Sequence, residues 1–114
     1  MTAQPAQYLQ ETAAWTRDNF EISVPVNVSY ELLEEILAEK LQQLISENFS
    51  RFIFLLYRTD VAEKKVKGIL EDAAATGEDP YKPIAALIIE RQLQKITSRA
   101  TYKQNDLPDD EERW

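Results

Sequence analysis

A chain of 114 residues, 44% of them apolar and 29% charged, is the size of one domain and can bury a core without disulfides or metals. It contains no cysteine and no histidine, which excludes thiolate nucleophiles, Cys-based zinc or iron–sulfur sites, and any Ser-His-Asp or Cys-His constellation. Two isolated glycines cannot build a phosphate-cradling loop, and a net charge of −7 suits nucleic acid poorly as a partner.

The opening stretch, MTAQPAQYLQETAAW, has neither the basic nor the apolar segment of a secretory leader. No apolar run approaches the ~20 residues that cross a bilayer, so a cytoplasmic location away from membranes is expected. A first helix is predicted over about Ala6 to Phe20, with Pro5 in its first turn. Tyr8, Leu9, Thr12, Ala13, Thr16 and Phe20 share one face at helical spacing, and Trp15 lies at its edge. In EISVPVNVS the residues Ile22, Val24, Val26 and Val28 alternate as in a strand. Pro25 and the lack of a second strand argue instead for an extended connector whose valines pack on helices.

Ser29 is placed to cap a second helix from Tyr30 to Glu47, with Glu31, Glu34 and Glu35 in its opening turns, where they complement the helix dipole. Leu33, Ile36, Leu37, Leu41, Leu44 and Ile45 form its apolar stripe. FIFLLY, residues 52–57, follows and reads as a helix of two to three turns capped by Ser50. Its apolar residues point all round the axis, as a helix buried on several sides requires, and Arg51 and Arg58 mark its one wet edge. Phe52, Phe54, Leu55 and Tyr57 are thus expected either as the central post of the core or as a seam between two subunits.

Asp60 to Glu63 match a D-x-x-E capping box opening a fourth helix to about Ala75, buried through Ala62, Val66, Ile69, Leu70 and Ala73. Gly68 faces away from that stripe and Gly77 serves as its stop. Asp79 and Pro80 open a last helix to about Tyr102, with Ile88, Ile89, Leu93 and Ile96 inward. Gln92 falls within this stripe. A half-exposed Gln92, where the stripe turns outward, is the favoured reading; the alternatives are a cap on a backbone group or a pair with its own copy. QNDLPDDEERW, with five acids and a proline, reads as a disordered tail. The fold class is therefore all-α: a four- to five-helix bundle with short connections over 1–103, an extended segment near 21–28, and an acidic tail over 104–114.

Charge is segregated. Residues 1–50 carry −6, residues 51–103 carry +3 and residues 104–114 carry −4. Glu31, Glu35 and Glu39 form an acidic ladder at every fourth residue of the second helix, and Arg91, Lys95, Arg99 and Lys103 a basic one on the last. Each ladder repels itself by roughly 0.2–0.5 kcal/mol per pair unless opposite charge lies beside it. That charge could come from the other ladder, from a second subunit, or from the tail. The adjacent acids Glu34–Glu35, Glu71–Asp72 and Glu78–Asp79 point in different directions on a helix and do not form paired-carboxylate sites. No catalytic residue, cofactor or metal site is predicted. The expected function is a small non-enzymatic interaction or regulatory module that binds a protein partner or itself, a homodimer slightly favoured. The alternatives are a helical pocket for a small apolar ligand, a carboxylate-only enzyme, or a nucleic-acid-linked regulator.

Overall fold

The computed structural model describes residues 6–105, with side chains from 7 to 99. Among them are five helices and no strand: α1 (Ala6–Phe20), α2 (Tyr30–Glu47), α3 (Phe49–Thr59), α4 (Glu63–Thr76) and α5 (Tyr81–Asn105). The helical-bundle expectation holds. The last helix runs past Tyr102 to Asn105, into the start of the expected tail. Pro5, the side chains of Tyr102 and Lys103, and the tail from residue 106 lie outside the described residues.

The core is built on α2 and α5, the most extensively packed pair, with α1 against both. Leu33, Leu37 and Leu41 of α2 and Ile84, Ala85, Ile88 and Ile89 of α5 are completely buried. α1 adds Thr12, Ala13, Thr16 and Phe20, and its Trp15 meets Phe20 edge-on at 6.1 Å. In α1, α2 and α5 the stripes read from helical spacing are the ones that face inward. Ser29 caps α2 as expected, its Oγ accepting from the Leu32 N–H at 3.1 Å. Asp79 Oδ1 likewise accepts from the Tyr81 N–H at 2.8 Å and starts α5.

The segment between α1 and α2 forms no strand and is not extended throughout: it turns at Val26 and Asn27, with Asn27 in the left-handed region at φ 59°. Val28 is buried and Ile22 and Val24 are half-buried, but Val26 projects outward, against the expectation that all the valines pack. Gln10 Nε2 donates to the Val28 carbonyl at 3.1 Å and ties the connector to α1.

Two caps differ from the sequence reading. Asn48, not Ser50, caps α3: its Oδ1 accepts from the Arg51 N–H at 3.2 Å. The same residue closes α2, donating its own N–H to the Leu44 carbonyl at 2.7 Å. A single residue thus ends one helix and starts the next. The D-x-x-E box does not form either. Asp60 closes α3 in the left-handed region at φ 62°, which Asp tolerates better than most residues, while Ala62 holds the N-cap position of α4 and supplies no side-chain cap. α4 buries only Val66 completely; Ile69, Leu70 and Ala73 are half-covered and Ala62 is exposed, so the expected five-residue buried face shrinks to a narrow contact. Gly77 ends α4 at φ 80°, a conformation that favours glycine.

Candidate functional site

α3 is fixed at both ends before its outer face is considered. At the N-terminus stands the Asn48 double cap. At the C-terminus the Asp60 N–H reaches the Leu56 and Tyr57 carbonyls, and the Asp60 carboxylate accepts from Arg91 Nη2 at 2.7 Å. Beside that ion pair, Gln92 Nε2 donates to the Thr59 carbonyl at 3.1 Å. Gln92 is 5% exposed, so the half-exposed reading is corrected. The amide satisfies one of the carbonyls that a helix end leaves unpaired. Neighbouring residues of α5 therefore bolt the end of α3 by two independent bonds. Phe52, Leu55, Leu56 and Thr59 face inward and are buried.

The opposite face is uncovered. Phe49 is 49% exposed, Phe54 48% and Tyr57 73%, with Ile53 half-buried between them. This corrects the expectation of a helix buried on several sides: FIFLLY divides into an inner half, with Phe52 and Leu55 in the core, and an outer half, with Phe54 and Tyr57 toward solvent. Phe49, Ile53 and Tyr57 follow one another at four-residue steps and make one ridge; Ser50, Phe54 and Arg58 make the next. Arg51 and Arg58 lie over the Phe54 ring, their guanidinium carbons 5.6 and 5.8 Å from its centroid. Arg58 also donates to Asn19 Oδ1 at 2.7 Å, and Arg51 stands 3.8 Å from the Glu21 carboxylate. The two arginines do mark a wet edge, and the exposed face extends beyond it to the aromatic ring they flank.

The charge ladders are not brought together. Glu35 lies 3.9 Å from Lys82, and Arg91 pairs with Asp60. Among the described residues Glu31, Glu39, Lys95 and Arg99 make no ion pair. Tyr30 at the start of α2 donates its hydroxyl to Glu90 of α5 at 2.8 Å; burial first, and then that carboxylate, push the phenol far above its ordinary pKa. An open cleft of about 630 Å³ lies between α5 and the α3–α4 link, lined in part by Asp60, Lys65, Leu87, Glu90 and Gln94. Its mixed charged lining and open mouth differ from the enclosed, mainly apolar pocket a small apolar ligand requires.

Hydrogen bonding from Arg91, followed by the charges of Arg91 and Lys95, holds the Asp60 carboxyl below the usual carboxylate range. A carboxylate with a depressed pKa contributes stability that is present above its unfolded value and lost as the pH falls through the folded one. Arg91→Gln is therefore expected to move the Asp60 titration midpoint, followed by carboxyl carbon NMR, upward toward the ordinary aspartate range. A midpoint that does not move would contradict the role given to this pair.

No protein-family model matches the chain, and no curated protein or solved structure matches it.

Proposed function

We propose that this chain is a non-enzymatic protein-interaction module of the cytoplasm, and that the outer face of α3 is its docking surface. One observation carries the reading: apolar and aromatic side chains are held outward on a helix whose two ends are pinned by capping and by α5. Exposure on a loosely held helix would signify little; exposure on a rigidly placed one costs solubility and supplies a preorganised contact. Aromatic residues and arginine are also the residue types enriched where proteins meet. Taking typical side-chain areas, Phe49, Phe54 and Tyr57 leave about 350 Å² of surface open, enough for the centre of a modest interface.

A photo-crosslinking residue at position 57, in cells of the native host, tests this against one at position 31 on the exposed side of α2. Crosslinks are expected at 57, to a discrete partner or to a second copy, and are expected to disappear when Phe54→Asp is added. Equal labelling from both positions, unaffected by Phe54→Asp, would remove the basis for the proposal.

A further inference from the structure

Resting on the reading of α3 as a docking surface, the geometry points to an occupant: an acidic amphipathic helix of another protein, with two carboxylates seven residues apart bracketing an apolar side chain. Three observations converge on it.

The first is charge. From Phe49 to Thr59 the helix carries Arg51 and Arg58 and no acid, in a chain whose net charge is −7. The second is placement. The two guanidinium groups lie on the same aromatic ring, which narrows the orientations they can adopt, and planar guanidinium forks match carboxylates in geometry. Residues seven apart are about 10.5 Å apart along a helix, and a partner helix repeats the same distance between its own seventh residues. The third is relief. The Phe49–Ile53–Tyr57 ridge and the Ser50–Phe54–Arg58 ridge leave a groove between them, the surface into which a helix sets a row of side chains.

The same charges weigh against a second copy docked α3 to α3. An antiparallel pair centred on Phe54 and Leu55 sets Arg51 of one copy against Arg58 of the other, and a parallel pair sets each arginine against itself. Either way arginine is set beside arginine at the apolar centre, with one Glu21 carboxylate per copy to offset two guanidinium groups, which electrostatic complementarity disfavours. An acidic helix neutralises the same groups.

The experiment is a selection of helical peptides from a displayed random library against the full chain. Binders that also retain Phe54→Asp/Tyr57→Asp protein are discarded, with Phe54→Ser/Tyr57→Ser used if the first variant melts early. Retained sequences are expected to be enriched in Asp or Glu at seven-residue spacing around an aromatic or aliphatic residue. Their affinity is expected to fall on the order of tenfold or more for Arg51→Glu/Arg58→Glu protein and to return when the two peptide acids become lysine. Retained peptides with neutral or basic residues at those positions would overturn the acidic partner and leave the docking surface standing. So would a dimer in sedimentation that Tyr57→Asp dissociates. If no peptide distinguishes the native chain from the α3 variants, the docking surface itself is wrong.

Discussion

Phe52→Ala is expected to lower the free energy of unfolding by about 3–5 kcal/mol, a large share of what a domain of this size has. Phe54→Ala, two residues away, is expected to lower it by about 1 kcal/mol, mainly through its contacts with Arg51 and Arg58. Both are phenylalanines within one apolar run, so composition and local propensity predict equal losses. The difference comes from rotation about the α3 axis: Phe52 is 1% exposed and Phe54 48%. Removing the Phe52 ring opens a cavity beside Leu55 and Leu56, which the packed helices cannot fully close, whereas removing the Phe54 ring loses two surface arginine contacts and leaves no enclosed cavity. Charged substitutions sharpen the contrast. Leu55→Asp places a carboxylate in the core and should abolish folding, while Phe54→Asp should melt near the native temperature. Urea titrations of these variants, read by circular dichroism, measure it. Comparable losses at positions 52 and 54 would mean that α3 is rotated from the position described here.

Gln92→Leu should cost about 1–3 kcal/mol despite placing a well-sized apolar side chain in an apolar stripe. The Thr59 carbonyl then loses its donor while remaining buried, since Thr59 is fully covered. Removing one partner of a buried hydrogen bond is costlier than removing both, because the desolvated group stays behind. Amide exchange should localise the effect, with faster exchange at residues 59–61 than in the centre of α2. A stabilised Gln92→Leu protein would show that the Thr59 carbonyl has another donor.

α2 and α5 were legible because each has a decisive local cue at its start. Ser29 before an acidic turn and the leucine stripe behind it define α2 from Tyr30 to Glu47; Asp79 and Pro80 do the same for the start of α5. The misreadings fall where one local pattern serves two structures. Asp60 followed by Glu63 fits a helix start, but a short polar residue that tolerates left-handed backbone fits a helix end equally well. Only the position of Arg91, far along the chain, selects the second. The rotation of α3 was illegible for a related reason. Apolar residues cover most of its circumference and Arg51 and Arg58 mark only one edge of the outside, so nothing in the spacing shows that Thr59 faces inward while Tyr57 faces out. Helical spacing places Gln92 in the stripe, but the carbonyl that justifies its burial belongs to another helix. The ladder spacing was equally plain in the sequence, yet spacing within one helix says nothing about which helix it faces, and Glu35 is met by Lys82 rather than by a basic-ladder residue.

α4 stands between two left-handed residues, Asp60 and Gly77, and contributes one fully buried side chain, Val66. The remaining helices can therefore keep most of their core whatever this stretch does. That makes α4 the segment through which the protein can change in length at least cost. An inserted loop at its exposed C-terminal end, or a reporter domain spliced there, would leave the buried faces of α2 and α5 and the pinned ends of α3 where they are. Lineages of this chain would then be expected to differ in size first at the α4–α5 junction, while the single-residue link at Asn48, which has no slack, keeps its length.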